Sequence, residues 1–124
     1  MAVGINRQTL SAGTLVGDDV NNFAGEKVGT VKEIMLDVDR GRISYVVVSS
    51  GGFLGIGDRL FAVPWGAMQV DGENHALLFD VTKDRLEDAP GFDQDNWPDF
   101  ADQTWGASVH EFYGTRPYWE TDLP

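Results

Sequence analysis

The sequence predicts a mainly β fold, a small antiparallel barrel or sandwich, followed by a helical extension at the C-terminus. Short apolar segments rich in β-branched residues recur up to Val81, and turns rich in glycine, asparagine and aspartate separate them. A single apolar stripe with helical spacing follows near the C-terminus. The chain has 124 residues, enough for one domain that buries about two thirds of its surface.

The first two predicted strands flank a short turn region. Residues 14–20 are typical of a strand, and residues 21–22 and 24–25 are typical of turns. Residues 27–38 fit both a helix and a strand, because their apolar positions match both spacings. We assign a strand with a bulge near Gly29, since glycine weakens a helix by about 1 kcal/mol and often marks a bulge.

A hairpin and a glycine-rich loop follow. Residues 39–42 form a tight-turn sequence around Gly41, and residues 42–50 are apolar on both faces, so the two strands predict a hairpin. The next loop, residues 50–58, has four glycines around three large apolar side chains. Those side chains belong to Phe53, Leu54 and Ile56.

The remaining segments end at clear stop signals. Pro64 stops a strand at 59–63, because proline has no backbone N–H to donate. Thr82 is suited to cap a helical turn over 83–88. Between them the sequence predicts a short strand or bend at 65–70, a turn at 71–74 and a last strand at 75–81.

The C-terminal helix is predicted from its caps and its apolar stripe. Asp102 can cap residues 103–113, and Gly114 is a natural C-terminal stop. Gly106 inside the segment argues against a helix. The apolar stripe consists of Trp105, Val109, Phe112 and Tyr113.

Charge divides the chain into two parts. The 70 residues up to Val70 carry seven acids and six bases, whereas the last 54 carry thirteen acids and three bases. Eight of the fourteen aromatic residues lie between Phe92 and Trp119. The second part is too short to fold alone. We therefore expect a leader (residues 1–10), a core domain (11–91) and an acidic aromatic extension (92–124) docked on that core.

Composition also excludes several classes of function. The chain has no cysteine, which rules out disulfides, thiolate catalysis and Cys-ligated zinc. Its net charge of −11 disfavours nucleic-acid and anionic-membrane partners. The longest apolar runs, such as residues 45–48, have four residues and are far too short for a membrane span, and the N-terminus lacks the apolar region of a signal peptide. A cytoplasmic protein is expected.

Six motifs follow one another between residues 11 and 91: LVGDDV (15–20), GEKVGTVKEIMLD (25–37), GRISYVVV (41–48), GGFLGIG (51–57), VPW (63–65) and LEDAP (86–90). Their order and spacing resemble the PRC-barrel domain, a small β-barrel named after the photosynthetic reaction centre H subunit. The end of the chain resembles that of stand-alone members. The motif positions are Gly25, Gly29, Gly41, Pro64, Trp65, Pro117, Tyr118 and Trp119.

The resemblance implies a highly twisted antiparallel barrel and a non-enzymatic role in contacting proteins. In the reaction centre H subunit the barrel influences quinone-linked proton transfer, which suggests a quinone-like or other redox ligand as an alternative. In the ribosome maturation factor it contacts a ribosomal protein, which suggests a ribosome- or RNA-maturation role as a second alternative. The family supplies no catalytic residue.

The sequence holds no catalytic or metal-binding pattern of its own. The spacing of Asp93, Asp95, Asp99 and Asp102 does not match a calcium loop. His75 and His110 have no partner at metal-ligand spacing. The glycines of residues 51–57 are not followed by the lysine and helix of a phosphate-binding loop. We expect no metal, no cofactor and no catalysis.

Two groups of residues are candidates for binding. Phe53, Leu54 and Ile56 either fold back on the barrel or cover a partner. Together with Tyr45 and Val47 they are the predicted interface of a homodimer, and a further protein partner is expected but unidentified. The aromatic residues of the extension either dock on the barrel or line a groove for an aromatic ligand, and docking is favoured.

Overall fold

A computed structural model describes residues 9–51 and 59–120, which form one mixed sheet of seven strands. The strand order is β5-β6-β1-β2-β3-β4-β7. The helices are α1 (Ala12–Leu15), α2 (Lys83–Glu87) and α3 (Gln103–Tyr113). The strands are β1 (Asp19–Asn22), β2 (Lys27–Asp37), β3 (Arg42–Ser50), β4 (Arg59–Pro64), β5 (Gln69–Asp71), β6 (Ala76–Phe79) and β7 (Gly91–Phe92).

The predicted mainly β fold with a C-terminal helix is confirmed, but its sheet differs from a closed antiparallel barrel. Strands β1 and β6 pair in parallel, and the other neighbours pair antiparallel. In the described part of the chain, β5 and β7 lie at the two edges of the sheet, so hydrogen bonding does not close it. Strand β7 was not predicted, because two residues are too few to show a period.

The predicted β2–β3 hairpin is confirmed, and so is the irregularity near Gly29. Val20 pairs with Gly29 and Asn21 pairs with Lys27, so Val28 is the extra residue opposite β1. A Cβ on Gly29 would lie 2.6 Å from the Val48 Cγ1 atom and 2.7 Å from a backbone oxygen. Glycine is therefore required because β3 approaches too closely for a side chain.

The predicted strand at residues 14–20 is correct only at Asp19 and Val20, and the predicted turn at residues 21–22 is wrong. Residues 12–15 form the short helix α1, and the strand begins only at Asp19. Asn21 and Asn22 lie in that strand, because β1 pairs with β2 on one side and β6 on the other. The Asn22 side chain still organises the next turn: its Oδ1 accepts hydrogen bonds from the backbone N–H groups of Ala24 and Glu26.

The first core lies on one face of the sheet and is almost wholly aliphatic. Its residues come from β1 to β4, β6 and the segment around α2. Thr82 caps α2 as predicted, with its Oγ1 accepting from the Arg85 N–H. The first core consists of Val20, Val28, Val31, Val46, Val48, Phe61, Val63, Leu77, Phe79, Val81, Leu86 and Ala89.

Helix α3 covers the other face of the central strands. It has the predicted bounds, with Asp102 accepting hydrogen bonds from two N–H groups of its first turn and Gly114 in the left-handed conformation. Strands β3 and β4 are thus buried on both faces, which explains the unbroken apolar run of residues 45–48. No helix among the described residues is long and apolar enough to span a membrane.

Candidate functional site

The structure separates the predicted interface residues into two groups. Phe53, Leu54 and Ile56 lie outside the described residues. Tyr45 and Val47 are 0% exposed within a single chain. Neither can contact a partner directly in this conformation, because β3 is a central strand covered on both faces. Their assignment to an interface therefore does not fit the structure.

The positions that resemble family motifs lie in turns, at close approaches and beside α3. Gly25 and Gly41 have φ angles of 85° and 67°, which glycine adopts without strain. Pro64 is the last residue of β4, and Trp65 opens a 3-10 turn and packs on the first core. The last three motif positions, Pro117, Tyr118 and Trp119, lie in the C-terminal segment that follows α3.

The end of the β2–β3 hairpin exposes large apolar side chains. Leu36, near the end of β2, is 62% exposed, and Val38, just beyond it, is 82% exposed. Leu36 pairs across the hairpin with the half-buried Ile43. We call Leu36, Val38 and Ile43 the hairpin patch. Within the described part of the chain, Leu36 and Val38 are mostly exposed and Ile43 is half-buried, unlike the buried side chains of the two cores.

An ion pair fixes the turn next to the hairpin patch. The Arg40 guanidinium lies 3.0 Å from the Asp37 carboxylate, and the Arg40 backbone N–H also donates to that carboxylate. Burial opposes ionisation of Asp37, but the hydrogen bonds and charge of Arg40, with the charge of Arg42, hold its pKa below the ordinary value. The hairpin end is therefore an ordered turn that presents its apolar residues.

A second packed group, the aromatic cluster, joins the sheet to the C-terminal segment. At its centre Tyr45 makes tilted or edge-on ring contacts at 5.4 to 5.7 Å. Ala62 and Val109 are its other buried members, and Met35 packs against it from β2. The rings around Tyr45 belong to Phe100, Trp105, His110 and Tyr118.

His110 is buried in this cluster with both ring nitrogens engaged. Its Nδ1 lies 2.7 Å from the Gly106 carbonyl oxygen. Its Nε2 lies 3.3 Å from the backbone nitrogen of Tyr118, which donates to it. Burial lowers the pKa of His110, although the Gly106 carbonyl and the Glu120 carboxylate raise it. Both nitrogens have structural partners, so His110 presents no free base to a substrate.

The other candidates for chemistry are dispersed. His75 is exposed at a turn with φ 51°. Asp99 and Asp102 accept hydrogen bonds from nearby backbone N–H groups, which gives them structural roles. No group of three or more potential metal-ligating side chains occurs within residues 9–51 and 59–120.

A shallow depression of 460 Å³ lies over β1, β5 and β6. Asn21, Gln69 and Leu78 contribute one cross-strand row to it, and Phe23 and Asp71 also line it. None of the aromatic residues of the C-terminal segment lines it. This depression is therefore separate from the aromatic residues of the C-terminal segment.

Two features were not found from the sequence. Leu36 and Val38 fit the alternating spacing of a strand, and Val38 also fits the helical spacing, but neither spacing predicts that these side chains are exposed. The contact between His110 and Tyr118 joins residues eight apart, in a helix and in an irregular segment. No spacing rule predicts such a contact.

Comparison with known proteins identifies a family model that matches the chain and a protein that is similar to it. A family model described as PRC-barrel domain matches residues 8–86, more than half of the chain. A protein of Deinococcus radiodurans described as uncharacterized is 32% identical over 74 residues. That match covers 59% of this chain and 26% of the relative, so this chain corresponds to about a quarter of the relative's length.

Proposed function

Because this chain belongs to the PRC-barrel domain family, we propose that it is a non-enzymatic protein-interaction and assembly module that binds a second copy of itself. The hairpin patch carries this proposal. Leu36 and Val38 are 62% and 82% exposed, on an ordered turn rather than a frayed end. Burying such side chains against a partner contributes about 1.5–3 kcal/mol each.

The charges around the hairpin patch favour a second copy over an unrelated partner. Residues 32–42 carry three acids and three bases, in a chain whose net charge is −11. A two-fold interface places the same surface on both partners, so it needs a patch that does not repel itself. The hairpin meets this condition, because acids of one copy can face bases of the other.

Packing of the aromatic cluster supports an interaction role over the alternative of a quinone-like ligand, whereas it does not bear on the alternative of a ribosome-associated partner. The rings that might have lined a ligand groove contact one another and Tyr45 instead. No observation favours a ribosomal partner. A cytoplasmic location and a further protein partner stay predictions.

Sedimentation equilibrium of the full chain tests the proposal. At high micromolar concentration the wild-type protein is expected at twice the 13.6 kDa chain mass. Changing both Leu36→Ser and Val38→Ser removes four apolar side chains per dimer, so the dissociation constant should rise at least about 100-fold.

The double variant Val16→Ser and Phe23→Ser is the matched control, because it removes two exposed apolar side chains elsewhere. This control should dimerise like the wild type. A wild-type protein that stays at 13.6 kDa would overturn self-association. Equal weakening by both double variants, or by neither, would overturn the hairpin patch as the interface.

A further inference from the structure

The two hydrogen bonds of His110 determine which nitrogen carries the proton. A carbonyl oxygen only accepts, so Nδ1, 2.7 Å from the Gly106 oxygen, must be the donor. In the neutral ring Nε2 then has a free lone pair, which accepts the Tyr118 N–H at 3.3 Å. The neutral Nδ1–H tautomer satisfies both contacts, and the other neutral tautomer satisfies neither.

Tyr118 is held through its backbone from two sides. Its N–H donates to His110 on α3, and its carbonyl accepts a 2.7 Å hydrogen bond from the Arg42 guanidinium on β3. Trp119 packs edge-on against the His110 ring at 5.5 Å. These contacts hold the 3-10 segment Tyr118–Glu120 against the helix and the sheet.

We propose that His110 is an acid-sensitive latch, whose protonation loosens the segment Tyr118–Glu120 from helix α3. A protonated imidazole has N–H groups at both nitrogens. Its Nε2–H would face the Tyr118 N–H, so one hydrogen bond becomes a contact between two donors inside a buried cluster. The segment must move to relieve that contact. Of the two hydrogen bonds that hold the Tyr118 backbone, the acid-sensitive one is therefore the bond to His110.

The groups facing His110 come from three elements. Tyr45 lies across from it on β3, Glu120 and Tyr118 lie in the C-terminal segment, and the Gly106 carbonyl lies within α3. Around Tyr118 stand Asp37, Arg40 and Arg42 of the hairpin. Glu120 and the helix C-terminus favour the protonated ring. Burial disfavours it and dominates.

The direction of the pH effect follows from this balance. Loosening the segment exposes the His110 ring to water, which raises its pKa from the lowered value of the latched state towards the ordinary value of about 6.5. The latch is therefore fully effective above pH 6.5 or so, and loosening increases by up to about tenfold per pH unit as the pH falls below that value. Loosening stops increasing below the pH at which His110 also takes up a proton in the latched state.

Nuclear magnetic resonance of the full ¹⁵N-labelled chain tests the latch. At about pH 7.5 the His110 ring nitrogens should show the Nδ1–H tautomer. Between about pH 7 and pH 5, protection of the Tyr118 amide from hydrogen exchange, corrected for intrinsic rates, should fall about tenfold or more. Amides of β3 should keep their protection, because β3 pairs with β2 and β4 through backbone hydrogen bonds that do not involve His110.

Two variants separate His110 from other titrating groups. His110→Gln keeps an acceptor without titrating, and its Tyr118 protection should vary less than about twofold over the same range. His75→Gln changes the exposed histidine and should behave as wild type. An Nε2–H tautomer, or Tyr118 protection that stays constant while His110 titrates, overturns the latch. Equal acid sensitivity in His110→Gln overturns it as well.

Discussion

The two faces of strands β3 and β4 are covered by different kinds of side chains. On one face the buried residues of the first core, in the described part of the chain, are valine, leucine, alanine and two phenylalanines. On the other, the aromatic cluster brings together tyrosine, tryptophan and histidine from the sheet, α3 and the C-terminal segment. The first face belongs mostly to the region that matches the family model, and the second depends on residues after it.

This difference indicates which of the two layers, the first core or the aromatic cluster, can change without loss of the fold. Aliphatic side chains pack with no hydrogen-bonding requirement, whereas a buried polar group needs a partner. Among the described residues, the buried hydroxyls of Tyr45, Tyr113 and Thr115 have no hydrogen-bond partner. Tyr45 is a buried member of the aromatic cluster, and Tyr113 packs against both the aromatic cluster and the first core. We therefore expect the first core to hold the fold and the aromatic cluster to be the weaker layer.

The largest expected effect tests the first core. Phe79 is buried at the centre of the first core, on β6. Phe79→Ala should lower the free energy of unfolding by about 3–5 kcal/mol, because it removes a buried ring and leaves a cavity. Urea denaturation followed by circular dichroism measures the change. The circular dichroism signals of the first core and of the aromatic cluster should be lost at the same urea concentration.

Phe23→Ala is the matched control for this change. Phe23 is 57% exposed, so the same substitution should alter the free energy of unfolding by less than about 1 kcal/mol. Similar losses for Phe79→Ala and Phe23→Ala would contradict the assignment of the first core as the main source of stability.

A smaller effect, confined to the aromatic cluster, is expected at Gly106. A Cβ at this position would lie 2.8 Å from the Tyr45 hydroxyl and 2.9 Å from the Trp119 ring. Alanine improves helix propensity by about 1 kcal/mol, but overpacking a core costs about 1–3 kcal/mol. Gly106→Ala should therefore destabilise the protein, and Tyr118 amide protection should fall before that of β3.

Gly66→Ala provides the comparison for that change. No atom lies within 4 Å of a Cβ placed on Gly66, and its backbone is not in the left-handed region. This substitution should be neutral or slightly stabilising, since alanine reduces the freedom of the unfolded chain. If Gly106→Ala also stabilised the protein, the close packing of α3 on Tyr45 would be wrong.

The bounds of α3 could be predicted from the sequence, but the role of Gly106 within the helix could not. The caps Asp102 and Gly114 and the apolar stripe predicted α3 with the bounds that the structure has, because these signals are local. The glycine inside the helix counted against that prediction. Glycine is needed at this position because Trp119 and Tyr45, which are distant in the chain, approach it closely.

The misassigned N-terminal segment has the same cause. Asn21 and Asn22 are typical turn residues, yet pairing with β2 and β6 on both sides holds them in a strand. The hairpin was predictable because its turn and its two strands are adjacent in sequence. The latch was not, because Tyr118 reaches His110 through a backbone N–H, which no side-chain pattern encodes.

The smallest expected effect has the opposite sign and concerns the hydroxyl of Tyr45. Burial, with a smaller contribution from Tyr118, raises the pKa of Tyr45, so its hydroxyl is neutral at physiological pH. Within the described residues that hydroxyl has no hydrogen-bond partner. Tyr45→Phe keeps the ring contacts and removes an unsatisfied polar group, so it should be neutral or raise the free energy of unfolding by up to about 1 kcal/mol.

Tyr113→Phe is a parallel test of this effect, because the Tyr113 hydroxyl is also buried without a partner in the described part of the chain. Urea denaturation of both variants at neutral pH measures the two changes. A loss of more than about 1 kcal/mol in either variant would mean that its hydroxyl makes a hydrogen bond in solution. In that event the aromatic cluster would leave no more buried polar groups without a hydrogen bond than the first core does. The contrast between the two faces would then rest on Gly106 and His110 alone.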